Sequence, residues 1–146
     1  MNRKERRAAR KTHRSAAEAA VPASAQPDAF VELLQAARQK EELGGPSDEV
    51  IAAYMKAAAA CPTRAEALHG AARFSRNKGI HEQGYQIAVK GLAIARPNNA
   101  LAIEDWIYDY GLLDELAVSA CWIGRSGLPR RLPAPASRGQ NAPGYA

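Results

Sequence analysis

Apolar residues recur at spacings of three and four through five successive runs of the chain, and each run is closed by a glycine or a proline. That spacing buries one face of a helix and lacks the strict alternation of a half-buried strand. Phe30, Leu33, Leu34, Ala37 and, less regularly, Leu43 form the first stripe, ended by Gly44-Gly45-Pro46. Val50, Ala53, Tyr54, Ala57 and Ala58 form the second, closed by Pro62. Leu68, Ala71, Ala72 and Phe74 form the third, stopped at Lys78-Gly79. Tyr85, Ala88, Leu92 and Ala95 precede Arg96-Pro97. The fifth stripe, Ile103, Trp106, Ile107, Tyr110, Leu113, Ala117, Ala120 and Cys121, runs over Gly111 and ends near Gly124. Ser47 and Thr63 stand where helix N-caps are expected. The fold class that follows is all-α, with about five helices and a thin core, because much of the apolar content is alanine and only 6% of residues are aromatic.

The charge divides the chain into three parts. Residues 1–14 carry a net +6, residues 15–124 a net −5 and residues 125–146 a net +4, so the basic balance belongs to the ends and not to the helical body. Residues 1–27 read as a basic, Ala/Pro-rich flexible arm, and residues 28–124 as the folded part. Residues 125–146 hold four of the nine prolines, with Leu128 and Leu132 as their only sizeable aliphatics. They are expected to be disordered, since so little apolar surface cannot offset the entropy of ordering. With no secretory signal and no run of about 20 apolar residues, the expectation is a cytoplasmic protein without a membrane span. Cys61 and Cys121 then read as reduced thiols.

Sliding the sequence against itself by 35 positions aligns Ala53 with Ala88, Ala58 with Ala93, Pro62 with Pro97, Ala65 with Ala100 and Leu68 with Ile103. This offset lies beside the roughly 34-residue period of helix-turn-helix solenoids. Ala53-Tyr54, Ala57 and Pro62, followed by Leu68, Ala71-Ala72, Gly79, Ala88 and Pro97, resemble a tetratricopeptide array. Gly84 and Gly91 depart from it, standing at or near positions where that family places alanine. Pro97 to Gly124 is also about ten positions longer than Pro62 to Gly79.

Residues 48–125, above all Glu104-Asp105-Trp106-Ile107-Tyr108 and Leu112 to Arg125, further resemble the repeats that follow the catalytic domain of some bacterial family 2 glycosyltransferases. The resemblance implies a noncatalytic protein-interaction module. Its groove, which would hold a protein or peptide partner, is expected to draw on Arg38, His69, Arg73, Arg76, Tyr108 and Trp122. The last helix has no successor, so self-association is expected through apolar area left by Trp106, Leu113, Leu116 or Trp122.

Catalytic signatures are absent from the sequence. There is no Asp-x-Asp, no phosphate-binding glycine loop, no G-x-S-x-G and no H-E-x-x-H. Asp105, Asp109, Asp114 and Glu115 read as a solvated acidic face, and His69, His81 and the thiols lack metal-ligand spacing. The expectation is a nonenzymatic protein without cofactor or metal. The alternative is nucleic-acid binding. On a helical wheel Arg3, Arg6, Arg7, Arg10 and Arg14 gather within about 100°, and such a stripe neutralises phosphates without reading bases. In that case labelled RNA should bind the full chain with a steep salt dependence in fluorescence anisotropy and lose most of that affinity when residues 1–14 are removed. Equal weak binding by both would dismiss it.

Overall fold

The computed structural model describes residues 27–98 and 103–125, and every regular element among them is helical. α1 spans Pro27–Glu42, α2 Ser47–Ala60, α3 Glu66–Asn77 and α4 His81–Leu92. A π-helical turn, Ile107–Gly111, runs directly into α5, Leu112–Trp122. Each helix packs on its successor, the first four joined by short connections, and α3 also touches both α5 and the π turn. The arm with Arg3, Arg6, Arg7, Arg10 and Arg14, the expected C-terminal tail from residue 126 on, and residues 99–102 lie outside the described residues.

Two kinds of helix ending alternate. Gly44, Gly79 and Gly124 take left-handed φ values of 72°, 75° and 69° behind α1, α3 and α5. The amide of the next residue then reaches back five positions in each case, Gly45 to Lys40 O at 3.0 Å, Ile80 to Ser75 O at 2.8 Å and Arg125 to Ala120 O at 2.9 Å. This ring satisfies carbonyls the helix leaves open, and a side chain at the left-handed position would strain it. α2 and α4 end instead in connections that contain Pro62 and Pro97. α4 stops at Leu92, so Ala95, expected on its stripe, lies exposed beyond the helix.

Neither expected cap forms. Ser47 is already helical, and Pro46 occupies the cap position without a side-chain bond. α3 starts three residues beyond Thr63, whose hydroxyl lies 3.4 Å from Cys61 Sγ. The amide of Ala65, just ahead of α3, donates to the hydroxyl of Tyr108 at 3.0 Å. An acceptor 43 positions away thus serves the start of this helix in place of a local one.

Phe30, Leu34, Ala37, Val50, Tyr54, Ala57, Leu68, Ala71, Ala72, Phe74, Tyr85 and Ala88 are buried as the stripes require. Ile51, Ile87 and Leu116 join the same core, while Ala65, Ile107 and Leu112 form a smaller cluster beside it. Leu43, 79% exposed, belongs to the turn after α1.

The fifth stripe splits. Ile107 and Ala120 are buried, but Trp106 (42% exposed), Tyr110 (61%), Leu113, Ala117 and Cys121 face outward. For Leu113, Ala117 and Cys121 the cause is the π turn, in which the amide of Leu112 bonds the carbonyl of Ile107, five residues back. That extra residue rotates everything after it by one position, so the inward row reads Ile107, Leu112, Leu116 and Ala120. Leu116, expected to leave uncovered area, is therefore fully buried.

Where α3 meets α2, Tyr54 lies flat against Gly70, and a Cβ at Gly70 would overlap the Tyr54 ring. Gly70→Ala gains about 1 kcal/mol of helix propensity but overpacks a site whose tyrosine cannot retreat, at a cost of about 1–3 kcal/mol. The expected net loss of up to about 2 kcal/mol should appear as a lower urea midpoint at unchanged slope.

Candidate functional site

α1, α3 and the segment leading into the π turn share one groove of about 510 Å³. α1 contributes Arg38, Glu41 and Glu42, α3 contributes Glu66, His69, Gly70 and Arg73, and the last segment contributes Glu104 and Trp106, with Tyr54 of α2 below. Residues on α1 and α3 that face one way recur at helical spacing, which is how three separate segments come to line one surface.

Its polar groups are tied across the groove. Arg38 Nη2 donates to both carboxylate oxygens of Glu104 at 3.0 Å. Arg73 and the Tyr54 hydroxyl each donate to Glu41 Oε2 at 2.6 Å. Burial, with the Glu41 carboxylate beside it, pushes the Tyr54 hydroxyl up to about 12, so it stays a donor throughout the physiological range. His69 stands edge-on to Trp106 with ring centroids 4.8 Å apart. Burial lowers its pKa more than Glu115 and Glu104 raise it, which leaves a neutral imidazole at pH 7 with one donor and one acceptor.

Three of the six residues expected in the groove, Arg38, His69 and Arg73, meet there. The other three do not. Arg76 is spent on Glu115 of α5, with its Nε 2.5 Å from Oε2. Tyr108 is half-buried outside the groove lining, its hydroxyl bonded to Ala65 and Glu66. Trp122, 70% exposed, stacks on His81 at 5.1 Å, outside the groove lining. The acidic wall of Glu41, Glu42, Glu66 and Glu104 was not read from the sequence, although Glu41 and Glu66 sit at helical spacing from residues that were. Of the supposed solvated acidic face, Asp105 and Asp109 both pair with Arg96, and Glu115 is buried.

Under the groove lies a buried pair, Arg64 and Glu66, 2.8 Å apart and 5% and 1% exposed. Tyr108 donates to Glu66 Oε2 at 2.9 Å. Desolvation favours protonated Glu66, but hydrogen bonds from Arg64, its own backbone and Tyr108 overcome it and hold its pKa below the ordinary value. Among the described residues no cluster of three or more His, Cys, Asp or Glu is placed to hold a metal, and no helix is long and apolar enough to cross a membrane. Comparison with protein-family models, curated proteins and solved structures returns no match.

A carboxylate whose folded pKa is depressed adds stability above its unfolded pKa and loses it as pH falls through the folded value. Tyr108→Phe removes a donor from Glu66 and an acceptor from Ala65. It should raise the Glu66 pKa, cost about 1–3 kcal/mol at neutral pH and start acid unfolding at higher pH. Circular dichroism followed through an acid titration of both proteins reads the shift.

Proposed function

We propose that this chain is a noncatalytic protein-interaction module of tetratricopeptide type whose groove takes a peptide segment of a partner. The observation that carries the reading is the convergence of α1, α3 and the segment before α5 on one groove, with α2 and α4 packed behind and between them. In a stack of helical hairpins the first helices of successive pairs form that inner surface.

The alternation of helix endings supports the same reading. Gly44 and Gly79 are 35 positions apart, as are Pro62 and Pro97, and each pair ends equivalent helices. Gly79 to Gly124 is ten positions longer, and the excess falls in the stretch that holds the π turn. The kinship with the repeats of bacterial glycosyltransferases rests on the sequence resemblance alone, and a link to such an enzyme, as an accessory or a separated piece, is part of the proposal.

The groove suits a ligand with polar groups. His69 offers a neutral donor and acceptor, Trp106 an apolar face, and Glu42 with the Glu104 and Glu41 pairs an acidic margin, so peptides with basic and aromatic residues fit best. Panning a random peptide library on the full chain should yield binders that lose about tenfold or more in affinity, about 1.4 kcal/mol, with Glu104→Ala or Trp106→Ala and none with Lys56→Ala on α2. Binders indifferent to both groove variants would reject the reading.

A further inference from the structure

We propose that the outward face of the last helical segment pairs with the same face of a second copy, the two segments running antiparallel about a two-fold axis near Leu113. This inference does not rest on the groove having a ligand, although the two surfaces share Trp106. Five positions, Trp106, Tyr110, Leu113, Ala117 and Cys121, are exposed at spacings of three and four, beside the exposed Asp105, Asp109 and Asp114, and the Trp106 and Tyr110 rings lie 5.9 Å apart. Trp122 flanks them, so both tryptophans of the chain stand exposed on this one segment. Contiguous aromatic surface of this kind marks an association site.

The sequence outside the described residues offers little apolar surface to cover it. Among residues 126–146, Leu128 and Leu132 are the only sizeable aliphatics and Pro129, Pro133 and Pro135 interrupt any helical spacing. In residues 1–26 only Met1 and Val21 are large and apolar. A second copy, in contrast, is complementary in shape. The face is bulky at its start, with Trp106 and Tyr110, and shallow at its end, with Ala117 and Cys121. Antiparallel pairing sets Trp106 against the partner's Cys121 and Tyr110 against the partner's Ala117, because both pairs of positions share one midpoint, between 113 and 114. Each large ring then meets a small residue, as packing into a groove demands.

The same register brings the two Asp114 carboxylates to the flanks of the axis, where they repel. Association should therefore tighten as salt screens them. It also carries the end of the partner's α5 to the Trp106 end of the groove, so the second copy would border the peptide site.

Sedimentation equilibrium of the full chain should show a reversible dimer of twice 15.7 kDa, stronger in high salt. Leu113→Lys, on an exposed position, should weaken dimerisation by about tenfold or more and leave the helical signal unchanged. In a Cys121→Ser background, Asp114→Cys should form an interchain disulfide under mild oxidation. Native Cys121 should not, since two such residues lie about 20 Å apart across the axis at a rise of about 1.5 Å per residue. A monomer at all concentrations, a dimer indifferent to Leu113→Lys, or cross-linking through Cys121 and not through Asp114→Cys would each overturn the proposal.

Discussion

Helices in this chain lie close together because the residue at several of their crossings has little or no side chain. Gly70 receives the ring of Tyr54, Gly91 receives the end of Leu112, and Gly84 meets Ser119 Oγ and the carbonyl of Ala72. Alanines at 37, 57, 67, 71, 72 and 88 line the remaining interfaces and are fully buried. Such a core gains little transfer free energy per residue, and depends on dispersion contacts that vanish with small separations. The two glycines that depart from the tetratricopeptide pattern, Gly84 and Gly91, are thus places where side chains of α5 press on the backbone of α4. Ser119 Oγ, packed against Gly84, is buried without a hydrogen-bond partner among the described residues.

Against so thin an apolar core, polar ties carry orientation. Arg64 lies over the Phe30 ring at 4.6 Å while it bonds Glu66, and Tyr108 closes the set, so α1, the start of α3 and the π turn are fixed to one another at a single cluster. A buried ion pair adds little stability over an apolar replacement, yet removal of one partner costs about 3–5 kcal/mol. Its contribution here is to the angle at which the last segment meets α3, and so to the width of the groove. Arg76 with Glu115 makes the same kind of tie about three turns further along α3.

The helices were legible because their evidence is local. Spacing of Phe30, Leu34 and Ala37, or of Leu68, Ala71 and Ala72, needs no knowledge of what covers them, and Gly79 and Pro62 signal an ending by backbone chemistry alone. What escaped depended on partners far along the chain. Thr63 looked like a cap because the hydroxyl of Tyr108 cannot be foreseen beside Ala65. The outward turn of Leu113 and Cys121 followed from one i to i+5 bond inside a stripe that looks regular at a period of 3.6. Half of the residues expected in the groove were legible for the same reason. Arg38, His69 and Arg73 follow from helix faces, whereas Arg76 and Tyr108 were claimed by Glu115 and Glu66, carboxylates whose position only the packing decides.

The pair between Arg38 and Glu104 joins residues 66 positions apart, the first helix to the last segment, over the open side of the groove. Both side chains keep substantial contact with water, so the bond is worth about 1 kcal/mol at most. It acts as an occupant the protein carries for itself. An incoming chain that offers a carboxylate competes for Arg38, one that offers a guanidinium competes for Glu104, and either exchange leaves the number of charge-assisted bonds unchanged while it frees one end of the stack from the other. Binding and loosening of the array would then be the same event.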